Sequence, residues 1–167
     1  MATLPLPSLP NASRVFLDAN VLIYAAGGTS RECHQLLVRC SRHEIYGLCL
    51  YEVLNEATHR LMLLEARAKG LIASSRASEL HDRPASIPQL SSYWRDTERI
   101  LAQNLLFLPL DEQITRRAQR ERAAAGLLTN DSMIVACMRQ YALTSLATSD
   151  RDFERVAGIT VYRPADL

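Results

Sequence analysis

The stretch Val15-Phe16-Leu17-Asp18-Ala19-Asn20 decides how this chain is read. Three consecutive apolar residues without alternation predict a strand buried on both faces, as in a parallel sheet covered by helices. The run stops at a carboxylate, so Asp18 stands at the C-terminal end of that strand. In open α/β sheets this is the end at which ligands bind. Asp18 therefore has two readings at this point: N-cap of a following helix, or member of a site.

Working outward, Ile45 to Leu50 is a second apolar run, and Leu105 to Leu108, Ser145 to Thr148 and Ile159 to Tyr162 are further short strand candidates. Between them lie helical periods. Leu54, Ala57, Leu61 and Leu64 recur at spacings of three and four, which predicts one helix from Tyr51 to Lys69 with Gly70 as its stop. Tyr93 to Asn104, Asp111 to Ala125 and Ser132 to Tyr141 read as helices, the last capped by Thr129-Asn130-Asp131, while residues 71 to 90 read as a short helix and a loop. Short buried strands alternating with longer helices predict an α/β three-layer sandwich with a mostly parallel sheet of four or five strands. Residues 1–13, with prolines at 5, 7 and 10, read as a leader, and residues 14–167 as a single domain.

Composition agrees. With 167 residues, 48% hydrophobic and 22% charged, the chain is one domain able to bury roughly 70% of its unfolded surface without disulfides or a structural metal. Cys33, Cys40, Cys49 and Cys137 form no Cys-x-x-Cys pair, and the spacing of Cys33, His34, Cys40 and His43 fits no common zinc site. A reducing, cytoplasmic setting is expected, since no run approaches the length of a membrane span. All basic residues but Lys69 are arginine. Arginine suits phosphate, although a net charge of +1 does not decide the partner.

Asp131 and Asp150 meet the same strand-end test as Asp18. Singly, each has a plain reading: Asp131 as a helix cap, Asp150 with Asp152 as a turn. Together they form a set that turn chemistry does not require. Carboxylates converging at a sheet edge repel one another unless a cation neutralises them, and hard oxygen ligands select Mg²⁺ or Mn²⁺. A fourth carboxylate is expected from the long helix, where Glu52 and Glu56 share a face. Glu52 falls in the first turn, where an acid routinely offsets the helix dipole, and Glu56, from the second turn, is the preferred ligand. Glu65, further along, is expected on the surface. His59 is a lone histidine a turn below Glu56, and Ser132 and Ser149 have no adjacent histidine. Arg116 and Arg120 share a helix face and form a candidate RNA-contact surface.

Four segments, in order, resemble the PIN domain family of small metal-dependent ribonucleases, which includes the VapC-type toxins of toxin-antitoxin pairs. They are Val15 to Tyr24, Leu54 to Met62, Leu127 to Ala136 and Leu146 to Phe153. The resemblance implies a five-stranded parallel sheet with Asp18, Glu56, Asp131 and Asp150 around Mg²⁺ or Mn²⁺, and Asp152 as a further ligand. It implies an endoribonuclease that hydrolyses RNA phosphodiester bonds with water rather than a side-chain nucleophile. Candidate partners are RNA, an antitoxin protein and a second copy of the chain. An antitoxin would need an apolar stripe, expected where Leu36, Leu37 and Val38 lie beside Leu61, Met62 and Leu64. The competing reading is a degraded PIN-like module that binds RNA or protein without cutting, which the presence of all four acids disfavours. A phosphatase of the haloacid dehalogenase type needs Asp-x-Asp, whereas Asn20 stands in the second position here.

Overall fold

The computed structural model describes residues 3–167. Six strands, β1 (Thr3–Pro5), β2 (Arg14–Leu17), β3 (Tyr46–Leu50), β4 (Leu106–Leu108), β5 (Ser145–Ala147) and β6 (Thr160–Arg163), form one sheet in the order β1-β6-β5-β2-β3-β4. Every pairing is parallel. The unalternating runs are explained by position: Phe16, Leu17, Leu146 and Ala147 lie at the centre of the sheet with no exposed surface. Gly47 sits opposite Val15, and a Cβ there would stand 2.6 Å from a Leu105 methyl and 2.9 Å from the Cys40 sulfur, so any larger residue would force those side chains to move.

Seven α-helices flank the sheet: α1 (Ala19–Ala26), α2 (Arg31–Ser41), α3 (Tyr51–Ala68), α4 (Ala77–His81), α5 (Ser92–Leu101), α6 (Glu112–Ala125) and α7 (Thr129–Gln140). They pack as two groups, α1 with α2, α3 and α5, and α6 with α7. Helix α3 ends at Gly70, whose φ of 68° makes the left-handed turn expected of it. Beyond it, Ile72, Leu80 and Leu90 bury a small satellite core against Leu63 and Ala66 at the far end of α3. No helix among the described residues is long and apolar enough to cross a membrane. The four thiols are free and buried, and burial pushes those of Cys33 and Cys40 up to about 11.

Four expectations are corrected. The sheet has a sixth strand, drawn from the segment expected to precede the domain: Thr3, Leu4 and Pro5 pair with Val161, Tyr162 and Arg163, while Leu6 and Leu9 are buried in the core. Proline is tolerated because β1 is an edge strand. Residues 1 and 2 of that segment lie outside the described residues. Helix α7 begins at Thr129 rather than Ser132, and no side chain caps it. Half of the expected apolar stripe is core: Leu36, Leu37 and Leu61 are buried where α1 packs on α2 and α3, Val38 and Met62 are partly buried, and Leu64 alone of the six is exposed. Finally, Glu65 is buried. It accepts hydrogen bonds from the Ser91 and Tyr93 amides, each at 2.9 Å, and from Lys69 Nζ at 2.7 Å. Burial alone would raise its pKa, but these donors overturn that and hold the carboxyl well below the usual range. Glu65 thereby ties α3 to the start of α5.

Candidate active site

Strand β2 lies between β3 and β5, at the point where the strand order turns back, and its C-terminal end opens into a crevice. Asp18 is the first residue past it. Its amide still bonds the Ala147 carbonyl at 3.1 Å, and Oδ1 accepts the Ala19 amide at 2.6 Å as the N-cap of α1. The other oxygen, Oδ2, accepts from the Thr148 hydroxyl at 2.6 Å and from the Asn20 amide. Capping and site membership thus coexist, one oxygen serving each.

Asn20 and Thr148 knit the two strand ends together. Asn20 Nδ2 donates to Thr148 Oγ1 at 3.2 Å and its Oδ1 accepts the Ser149 amide at 3.0 Å, while Thr148 Oγ1 accepts the Asp150 amide at 2.9 Å. The loop after β5 is therefore held at the end of β2. Asp150 Oδ1 in turn accepts the Asp152 amide at 2.8 Å, which is the turn foreseen from the sequence.

Glu56 and Asp131 reach the crevice from α3 and α7. Glu56 Oε2 accepts from Asn130 Nδ2 at 3.1 Å. Asp18, Asn20, Glu56, Arg60, Leu128, Asn130, Asp131 and Asp150 line one open cleft of about 450 Å³. Asp131, Asp150 and Asp152 each offer an oxygen within 4.8 Å of the others, close enough to hold one ion. Asp152 stands at the edge of this group, 3.2 Å from Arg155.

The electrostatics follow. Burial pushes the Asp18 carboxyl up to about 6 against its bonds from Thr148 and Ala19, with Glu56 and Asp150 adding to the rise. Asp131 is also pushed up to about 6, first by burial and then by the charges of Asp18, Asp150, Asp152 and Glu56. The cluster is self-repelling.

Glu52 does not line the cleft. It lines a small neighbouring crevice with Leu50, Val53, Met133 and Ile134 that shares Glu56 and Asn130 with the cleft, and its buried Oε2 has no hydrogen-bond partner among the described residues. Arg116 and Arg120 lie on α6, outside the cleft lining, and Arg116 is paired to Glu112. The hydroxyl of the fully buried Ser132 donates to the Thr129 carbonyl at 2.7 Å. Four residues of the site were not expected from the sequence: Asn20, Thr148, Asn130 and Arg60. Each lies within a segment quoted above, and the signal for Arg60 was its i,i+4 relation to Glu56.

The profile of the PIN domain matches residues 15–159, and the chain belongs to that family. The chain is 24% identical over 157 residues to "Ribonuclease VapC6" of Methanocaldococcus jannaschii, covering 90% of this chain and 97% of that one. Among solved structures it resembles a toxin-antitoxin complex from Klebsiella pneumoniae with a TM-score of 0.56 and 17% identity, covering 87% of this chain and 95% of the other. It also resembles VapC20 of Mycobacterium tuberculosis, described as a sarcin-ricin loop cleaving toxin, with a TM-score of 0.57, 13% identity and coverage of 86% and 95%.

Proposed function

We propose that this chain is a divalent-cation-dependent endoribonuclease that hydrolyses RNA phosphodiester bonds, in the cytoplasm, as the toxin of a type II toxin-antitoxin pair. The observation that carries the reading is that four carboxylates from four separate elements line one open cleft. Among the described residues no basic side chain forms an ion pair with Asp18, Glu56, Asp131 or Asp150. An all-oxygen donor set with two carboxyls pushed up to about 6 suits Mg²⁺ or Mn²⁺. Asp131, Asp150 and Asp152 would hold such an ion, with Asp18 and Glu56 completing the negative ring. When bound, it supplies activation of water and neutralisation of charge on the phosphate.

The chain's own residues fix the geometry. Thr148 and Asn20 hold the Asp18 oxygen that faces away from the cap, Asn130 orients Glu56, and the loop after β5 carries Asp150 at a set distance from β2. Ser132, spent on a backbone carbonyl, is unsuited to attack. The likeness to Ribonuclease VapC6 and to the sarcin-ricin loop cleaving toxin VapC20 supports an RNA substrate, and the Klebsiella pneumoniae complex supports an antitoxin partner.

The test is cleavage of RNA by the purified chain with Mg²⁺ or Mn²⁺ and with excess EDTA. Cleavage that requires the cation is expected. Undiminished cleavage in EDTA would overturn the cation dependence, and no cleavage of any RNA would overturn the nuclease reading. Co-expression with the product of an adjacent small gene is expected to give a complex in which cleavage is lost; cleavage undiminished with every neighbouring product would remove the toxin role.

A further inference from the structure

A cleft lined by four carboxylates has to admit a polyanion, and one cation bound among them leaves the flanking phosphates facing negative walls. Arg60 is the one basic residue among the described residues lining that cleft. It stands on α3, four residues after Glu56, the spacing and order at which a glutamate and an arginine ordinarily pair on a helix surface. Elsewhere in this chain that pairing forms: Glu65 with Lys69 at 2.7 Å, and Glu112 with Arg116. Here it does not. Glu56 is engaged by Asn130, and Arg60, exposed, makes no ion pair or side-chain hydrogen bond among the described residues. A guanidinium left free beside four acids, with a glutamate one turn away bonded to something else, is available to a ligand.

We propose that Arg60 binds the two non-bridging oxygens of an RNA phosphate adjacent to the one cleaved, so that α3 both contributes Glu56 to the acidic cluster and sets the register of the strand across it. This rests on the ribonuclease reading for the meaning of the adjacent phosphate. The planar fork of arginine matches two phosphate oxygens at once, which a lysine cannot do. The contact is made alike to any sequence, so it positions the strand without selecting bases.

The experiment titrates a short fluorescein-labelled single-stranded RNA against the full chain in Ca²⁺ across a range of salt, with Arg60→Gln, Arg60→Lys and Arg42→Gln. Arg42 is 69% exposed and follows α2 just before β3 begins, at the end of the sheet opposite the cleft. Arg60→Gln is expected to weaken binding about tenfold and to lower the slope of log affinity against log salt by about 0.7, the loss of one phosphate contact on a single strand. Arg60→Lys keeps the slope and loses about two- to threefold in affinity; Arg42→Gln changes neither. In Mg²⁺ or Mn²⁺, Arg60→Gln raises KM by a similar factor with kcat within about twofold. Wild-type affinity, slope and KM in Arg60→Gln, with wild-type cleavage intact, would refute the contact and leave the nuclease reading standing. RNA binding with the expected loss of slope, but no cleavage by the wild type, would support the contact and refute the nuclease reading. Loss of binding to a protein partner alone, with the RNA slope unchanged, would also overturn it.

Discussion

Replacing Asp131 by asparagine should stabilise the cation-free protein while abolishing cleavage. Its carboxyl rises from 3.8 to about 6 because burial and the charges of Asp18, Asp150, Asp152 and Glu56 all oppose its ionisation. A rise of about two units corresponds to roughly 3 kcal/mol at 1.36 kcal/mol per unit. The group is only half-buried, so solvent screening brings this to about 1.5 kcal/mol. Asp131 also lies in the first turn of α7, where a negative charge is favourable by about 0.5 kcal/mol, and the variant loses that. The net gain is about 1 kcal/mol, or roughly 2–4 °C in Tm for a chain of this size. The sign of the pH dependence follows from a folded-state pKa above the unfolded one. Between about pH 4 and 6 the folded chain keeps a proton that the unfolded chain has released, so wild-type stability falls as pH rises through that window. The gain in Asp131→Asn should therefore be absent below pH 4, grow to pH 6 and level off above. Thermal melts in EDTA at pH 4, 6 and 8 measure it, and added Mn²⁺ should raise the wild type more than the variant. A variant that melts below the wild type at pH 8, or a gain independent of pH, would refute the account of a self-repelling cluster.

Glu56→Ala should lower the cleavage rate by orders of magnitude, whereas Glu52→Ala, which alters a crevice beside the cleft, should leave it within a few-fold; the opposite pattern in a single-turnover assay would move the site one turn along α3. Glu65→Ala leaves the Ser91 and Tyr93 amides without their acceptor and should cost about 3 kcal/mol in urea unfolding, with α5 losing amide protection in hydrogen exchange before the rest of the chain. Leu6→Ala empties a fully buried position in the turn after β1, which packs on α2 and β6, and should cost about 2–4 kcal/mol. A loss within about 0.5 kcal/mol would mean that the first ten residues are not integral to the fold.

Much of this protein is determined by local sequence. The apolar runs at Val15 to Leu17 and Ile45 to Leu50 mark buried strands, and the period of α3 with Gly70 behind it marks a helix. The strand-end position of Asp18 and Asp150 follows from the same patterns, because a strand's last residue is set by where its apolar run stops. Other features depend on partners far along the chain. Thr3–Pro5 reads as leader until β6, more than 150 residues later, gives its backbone a partner. Glu65 reads as surface until the Ser91 and Tyr93 amides arrive to satisfy it. Glu52 and Glu56 share a face, so the choice between them turns on which turn of α3 comes level with α7 and the end of β2, and that position is set by packing rather than by helix periodicity. That Glu56 bonds Asn130, from another helix, rather than pairing with Arg60 one turn away is likewise decided by the tertiary structure. Sequence decides which residues become strands and helices because those choices rest on nearest neighbours; which side chains meet is decided by crossovers that bring together groups far apart along the chain, such as Asp18 and Thr148, 130 residues apart.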